Sequence, residues 1–472
     1  MKLNPTLIKV LTLLAIVGLL MLALARVGGL VDERQQRASE ARRSIEQAQA
    51  GPQALLGPVL RAVCHETWET VERKGNTMVT STLRREFFTD ATPDRLDIVG
   101  NVVMEARYRG LFKVNTYVTD TTLSAQWKPL QPEAENPKGR VTCGSPTLAV
   151  ALSDSRGLRE AHVQIDGQEV AVLPGTPFKK LPSGFHAVVP RTVADTITAK
   201  VKLQIVGTGD LAIAPVGDNN QVALTANWGH PSFGGRFLPV QRDVEEGKFT
   251  AHWRISALAS SADRDFFAGR ALCTGVSAAD KDNNRYSSND DTVVTAAATA
   301  SDGPSAPGCI ETFGVDFIDP VNAYSLSDRA LKYGLLFIAL SFVAVGMVEV
   351  LRRLRVHPVQ YLLVGCALSV FFLLLLSLSE HLAFGISYAV AATACVSLLA
   401  FYATHVLGGW RAGLLFGTGI AGLYGALYLL LQMEQTAMVL GSVLLFLVLA
   451  AVMVLTRRVD WYGLIRSTTP AA

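Results

Sequence analysis

Signature motifs of hydrolytic and phosphate-handling chemistry are missing from this chain. It contains no His-Glu-x-x-His, no Gly-x-Ser-x-Gly and no Gly-x-x-x-x-Gly-Lys, so zinc peptidases, serine hydrolases and P-loop enzymes lose their usual sequence support. A nucleophile and base drawn from distant positions stay open. No Cys-x-x-Cys or His-x-x-x-His occurs, and Cys64-His65 lacks a second ligand pair nearby, which removes a metal site of standard spacing. The chain is therefore read as a non-enzyme with no cofactor and no metal. An excess of one charge is missing too: residues 26 to 330 hold 33 Lys+Arg against 36 Asp+Glu, with no basic patch interleaved with aromatics. Nucleic acid is not an expected partner.

What is present is apolar sequence. Half of the 472 residues are hydrophobic, although the middle of the chain has ordinary polar composition. About 20 apolar residues of helix match a hydrocarbon core of roughly 30 Å. Six runs reach that length, at about 7 to 26, 333 to 351, 360 to 379, 383 to 404, 412 to 431 and 437 to 456. The expected fold class is a multi-domain membrane protein: an α-helical bundle of six spans, one N-terminal and five C-terminal, with one large water-facing domain. The 10 basic and 4 acidic residues outside the middle region place an excess of positive charge around these runs.

Their positions set the orientation. Lys2 and Lys9 precede the first span, Arg352, Arg353 and Arg355 follow the second, Arg411 lies between the fourth and fifth, and Arg457 and Arg458 follow the sixth. The positive-inside rule puts all of these in the cytoplasm, with both termini inside and residues about 27 to 330 outside. Lys2, Lys9 and Ala23-Leu24-Ala25 also fit a cleavable signal peptide. Against cleavage, Asp32 to Gln47 consists of good helix formers that can prolong the span as a stalk. The expected domains are an anchor (1–28), a helical stalk (29–50), a β-rich domain (51–325), a five-span bundle (326–458) and a cytoplasmic tail (459–472).

The exported region reads as β. Residues 78–83, 112–119, 198–206 and 221–225 alternate or are β-branched, and Gly and Pro clusters interrupt them at 51–52, 130–139, 173–184 and 215–219. An antiparallel sandwich-like domain follows, with strand order open. Residues 278–308 are poor in large apolar side chains, and a mobile loop is expected at about 274 to 308. Cys273 and Cys309 bracket it, and an oxidising compartment permits a bridge between them. Cys64 and Cys143 are the other cysteines of the region, so three pairings, or four free thiols, remain possible. Cys366 and Cys395 fall in spans and read as packing residues.

Several blocks together resemble a known family. They are Gly51-Pro52-Gln53 with Gly57-Pro58; Gly207 to Leu211; Asn227-Trp228-Gly229-His230-Pro231-Ser232-Phe233 with Phe237-Leu238-Pro239; Ala251-His252-Trp253; Asp328 to Tyr333; His357-Pro358-Val359-Gln360-Tyr361; Ser379-Glu380-His381; and Asp460-Trp461-Tyr462. In this order they are similar to the inner membrane protein CreD family, also called cell envelope integrity inner membrane proteins. The resemblance implies a Gram-negative inner-membrane location and a role in envelope maintenance and tolerance of envelope-directed agents. It brings no reaction and no ligand. The loop between Cys273 and Cys309 looks like an insertion relative to the family.

Candidate functional residues follow from chemistry. Asn227 to Pro239 fits a rigid corner between strands, or else an exposed Trp228, His230 and Phe233 edge that contacts lipid headgroups or a partner. Gly207 to Leu211 reads as a hairpin turn. Glu349, Glu380, His381, His405 and Glu434 sit at span ends, where interfacial anchoring is the simple reading and a relay the sharper one. Gly413, Gly417, Ala421 and Gly425 recur every four residues, an expected helix-packing face. Three function classes are weighed: a non-catalytic envelope factor whose β domain binds a lipid, cell-wall or protein partner; a transporter or lipid-handling protein, which would require a lined cavity between spans; and a membrane-bound hydrolase.

Overall fold

The computed structural model describes residues 5–74, 77–273, 308–317, 323–352, 356–406, 409–433 and 437–457. Most of the expected loop, residues 274–307, and the expected tail, 459–472, lie outside the described residues, as do Arg353, Arg355, Glu434 and Arg458. Two compact units divide the chain: Met1–Ser39 with Pro320–Ala472, and Glu40–Asp319.

The first unit is helical. Helix α1 (Pro5–Ala48) opens the chain and passes Gly28 and Gly29 without a break. After the β unit come α3 (Ala323–Lys332), α4 (Gly334–Arg352), α5 (Pro358–Ser379), α6 (Phe384–Val406), α7 (Trp410–Gln432) and α8 (Ala437–Thr456). By length and composition α1, α5, α6 and α7 can each cross a membrane. The expected span at 333–351 differs in form, because α3 and α4 meet at Tyr333 with a bend of 45° and together make one broken apolar element. Helix α8 is a shorter apolar helix over Val439–Val454.

Packing draws α1 into this unit. Leu20 and Leu24 are buried in one cluster with Phe337, Leu368, Phe371, Tyr388, Tyr424 and Leu427. A Cβ added at Gly365 would lie 2.1 Å from Leu20 Cδ1, so glycine is what admits the leucine there. That seat makes α1 an integral part of the bundle, not a segment lying apart from it.

The second unit holds two mixed sheets. The nine-stranded sheet runs β14 (Pro231–Gly235), β17 (Phe313–Phe317), β12 (Asp210–Ala214), β1 (Gln53–Lys74), β6 (Thr147–Leu152), β10 (Gly184–Val188) and β9 (Val172–Pro174). Strands β2 (Thr77–Ala91) and β5 (Arg140–Cys143) also pair with β1. The eight-stranded sheet runs β15 (Gln241–Glu245), β16 (Lys248–Ser256), β13 (Asn219–Ala226), β3 (Arg95–Arg109), β4 (Phe112–Trp127), β11 (Ile197–Thr208), β7 (Leu158–Ile165) and β8 (Gln168–Val170). A short helix, α2 (Ala262–Phe267), follows β16. Buried residues of both sheets form one core that includes Leu56, Leu60, Trp127, Phe185, Phe249 and Phe313.

The purely antiparallel expectation needs correction, because β1 runs parallel to β12 and β3 runs parallel to β13. Residues Ala54 to Leu60 of β1 are buried on both faces, so this stretch is continuously apolar and shows no alternation to betray its neighbours. Gly207 to Leu211 also departs from its expected form. Gly209, at φ +83°, carries the chain from β11 in one sheet to β12 in the other, so the segment is a crossing and not a hairpin turn.

The last turns of α1, from Glu40 on, belong to the second unit and are held within it by polar contacts. Arg156 donates to the carbonyls of Gln47 at 2.5 Å and Glu46 at 3.3 Å, covering acceptors that a helix C-terminus leaves open. Arg156 in turn pairs with Asp154, and its hydrogen bond holds that carboxyl below the usual carboxylate range.

Candidate functional site

Asn227 to Pro239 folds as a corner around β14. Asn227 Oδ1 accepts from Met104 N at 2.6 Å, and Trp228 Nε1 donates to the His230 carbonyl at 3.0 Å, so these side chains tie down the backbone. A Cβ at Gly229 would sit 2.9 Å from Gly247 N, and one at Gly235 (φ +81°) 2.4 Å from Thr312 O. Both glycines allow close backbone approach. His230 is exposed, while Trp228 is half-buried against the core. Phe233 departs from the expected exposed edge: its ring packs edge-on against Phe249 (5.5 Å) and Trp253 (5.7 Å), and Trp253 Nε1 donates to the Phe237 carbonyl.

Beside this corner lies a polar trough on the outer face of the eight-stranded sheet, with a volume of about 430 Å³. Strand alternation builds it. On β13 and β16 the residues at every second position are buried, leaving Gln221 with Ala223, and His252 with Arg254, on the solvent side. Register places Arg254 opposite Gln221, Gln221 opposite Asp97, and His252 opposite Ala223 and Gln241. Asp97 Oδ2 accepts from Arg95 at 2.8 Å, while its buried Oδ1 has no hydrogen-bond partner. The trough therefore presents guanidinium, imidazole, amide and carboxylate groups together, a set suited to a partner rich in hydrogen-bonding groups.

In the helical unit two acidic residues at span ends, Glu349 and Glu380, are paired. Glu349, on α4, bonds Lys9 of α1, accepts from Tyr361 Oη at 2.8 Å and from Val356 N at 3.3 Å. Glu380, at the end of α5, pairs with Arg34 Nε at 3.1 Å, and His381 beside it is exposed. Sequence reasoning placed Glu349 and Glu380 at interfaces and missed their partners. Among the described residues, the small apolar cavity between α4, α5, α6 and α7, near Val345, Val364, Leu399 and Phe416, holds about 30 Å³, room for one water.

The four-residue strip on α7 is corrected in its second half. A Cβ at Gly413 would meet Thr404 Cγ2 at 2.4 Å and one at Gly417 would meet Ala400 Cβ at 2.7 Å, but Ala421 and Gly425 are exposed and nothing lies within 4 Å of a Cβ at Gly425. Four residues advance a helix by about 40° beyond one turn, so the strip drifts off the contact after two steps. Burial continues at Ile420, Tyr424, Leu427 and Leu431. Gly417→Leu should thus lower the melting temperature of the purified protein in detergent, overpacking of this kind costing about 1–3 kcal/mol. Gly425→Leu should leave it unchanged.

Two further features escaped the sequence reading. Glu66 is fully buried on β1, where Arg85 Nη2 lies 3.1 Å from it and the backbone N–H groups of Asn136 (2.8 Å) and Glu135 (3.3 Å) donate to it. Tyr117 is buried and donates to the Asp210 carbonyl at 2.7 Å, and burial raises its pKa well above the usual phenol value. Alternation around Cys64 was the available signal for an inward Glu66. Disulfides join Cys64 with Cys143, register partners on β1 and β5, and Cys273 with Cys309.

Among the described residues no group of three or more His, Cys, Asp or Glu side chains is placed to hold a metal ion. A family model described as inner membrane protein CreD matches residues 5–462. The chain belongs to the CreD family. A CreD relative, the inner membrane protein CreD of Escherichia coli strain K12, is 31% identical over 463 residues, 98% of this chain and 94% of the relative. Solved structures overlap only in part. An M1 zinc metallopeptidase mutant from Deinococcus radiodurans matches at 13% identity, over 34% of this chain and 38% of its own, with a TM-score of 0.20. Leukotriene A4 hydrolase from Saccharomyces cerevisiae matches at 10% identity, over 34% and 27%, with a TM-score of 0.21. Overlap at this level assigns neither fold nor activity to this CreD chain.

Proposed function

We propose that this CreD-family chain crosses a Gram-negative inner membrane six times, with both termini in the cytoplasm and residues about 27 to 330 in the periplasm, and supports envelope integrity by binding and not by catalysis. In this reading residues 1–28 anchor the chain, 29–50 form the stalk, 51–325 the recognition domain, 326–458 the bundle and 459–472 a cytoplasmic tail. The carrying observation is the pair of ion bridges on α1. Lys9 and Arg34 are about 25 residues apart, roughly 38 Å of helix, which brackets a hydrocarbon core of about 30 Å. Each bridge joins residues that the positive-inside rule puts on one side, Lys9 with Glu349 and Arg34 with Glu380. The two disulfides of the β unit fit an oxidising compartment.

The polar trough is the recognition surface in this proposal, and a cell-wall glycan or peptide has the hydrogen-bonding groups it matches. Two measurements test the reading. In spheroplasts a membrane-impermeant maleimide should label Leu258→Cys, a residue 99% exposed, and should label His357→Cys only after lysis; the reverse pattern overturns the topology. In a strain deleted for the gene, Arg254→Ala with Gln221→Ala should restore less survival of envelope-directed agents than the unaltered chain at equal protein level. Full survival removes the trough from the function.

A further inference from the structure

Arg107-Tyr108-Arg109-Gly110-Leu111-Phe112-Lys113 carries three cations among aromatic and aliphatic residues, at the turn between β3 and β4. Gly110, at φ +60°, supplies the positive dihedral that a tight hairpin turn needs. Both neighbouring strands stop short of this turn. β13 ends at Ala226, opposite Val102, and β11 ends at Thr208, opposite Thr116. Beyond them the rungs from Ala106 with Asn115 to Arg109 with Phe112 pair β3 with β4 alone among the described strands, a two-stranded ribbon. From Thr116 to the turn it extends about 17 Å at 3.4 Å per residue. Ribbons of two strands are marginal in water by themselves.

The ribbon's root is the end of the β unit where the chain enters and leaves. Thr208 Oγ1 donates to the Ala50 carbonyl at 2.9 Å, Phe317 N to the Gly209 carbonyl at 3.0 Å, and Tyr117, the register partner of Met104, to the Asp210 carbonyl. Ala50 follows α1, and Phe317 is the last described residue before α3. Tyr108 is 67% exposed and Leu111 57%, large side chains left in water by the fold itself. Arg107 is occupied by Glu105 at 2.7 Å, which leaves Arg109 and Lys113 as the forward charges.

We propose that this hairpin tip docks on the headgroup layer of an anionic phospholipid bilayer. Leu111 and the Tyr108 ring enter the interface, where amphipathic aromatic rings are favoured, and Arg109 and Lys113 meet lipid phosphates, as basic residues do at an anionic surface. The contact adds to membrane anchoring by the helices and is independent of whatever the polar trough binds.

The test uses the full chain in nanodiscs, with Cys366→Ala and Cys395→Ala removing the free thiols. An environment-sensitive fluorophore is attached at Leu111→Cys or, as a control at the opposite end of the eight-stranded sheet, at Leu258→Cys. In phosphatidylglycerol discs the Leu111 probe should emit to the blue of the Leu258 probe and be quenched by headgroup spin-labelled lipid. Arg109→Glu with Lys113→Glu should abolish both effects, and salt raised from about 0.1 to 1 M, where the Debye length falls from about 10 to 3 Å, should weaken them. Equal emission from the two positions overturns the proposal. A blue shift without lipid quenching also overturns it and assigns the tip to a protein contact.

Discussion

Phe313→Ala should destabilise the β unit by about 3–5 kcal/mol, the range for removing a large buried aromatic, read as a lower denaturation midpoint of tryptophan fluorescence in the full chain. Phe313 is fully buried on β17, 5.4 Å from Trp253 and 6.4 Å from Phe237. Its strand joins β12 to β14, so the cavity would open where the Asn227 to Pro239 corner is fastened to the sheet. His230→Ala, at an exposed position of the same corner, should stay within about 0.5 kcal/mol. Equal losses from both would show that the corner is held by His230 and not by its aromatic ring cluster. The contrast bears on function because the rings of this corner serve packing while the adjacent trough presents His252 and Arg254.

Much of the β unit was legible because alternation has a local cause. Residues 112–119, 198–206 and 221–225 show period two, and all lie in strands. Partner choice was not legible. β1 pairs with β12 across more than 150 positions, and its both-face burial erases the alternation that would have announced a half-exposed strand. On α7 the error had the opposite origin, since a four-residue repeat was read as one face although a helix turns in 3.6. Gly413 and Gly417 meet the neighbouring helix, and Gly425 does not. The polar trough was invisible for a third reason. Its groups, Asp97, Gln221, Gln241, His252 and Arg254, come from four strands, and each alone resembles ordinary solvent-facing polarity.

The ion bridges were hidden by distance along the chain, 340 residues between Lys9 and Glu349, and they support the second large prediction. Glu349 is 15% exposed, Lys9 34%, and the carboxylate also accepts from Tyr361 and Val356. Lys9→Met leaves Glu349 short of its counter-charge. A loss of about 2–4 kcal/mol is expected, below the upper limit for fully buried pairs because Lys9 keeps a third of its exposure. Glu349→Gln keeps a partner for Tyr361 but strands the Lys9 ammonium, and should cost a similar amount. The double variant removes both charges together, and replacing an ion pair by uncharged groups is often close to neutral. Its stability in detergent should therefore recover most of either single loss, an interaction energy that a double-mutant cycle reads directly. Additive losses would mean that Lys9 and Glu349 act separately at the interface, and the bridge would then hold neither α1 in the bundle nor the topology that places both residues on one side of the membrane.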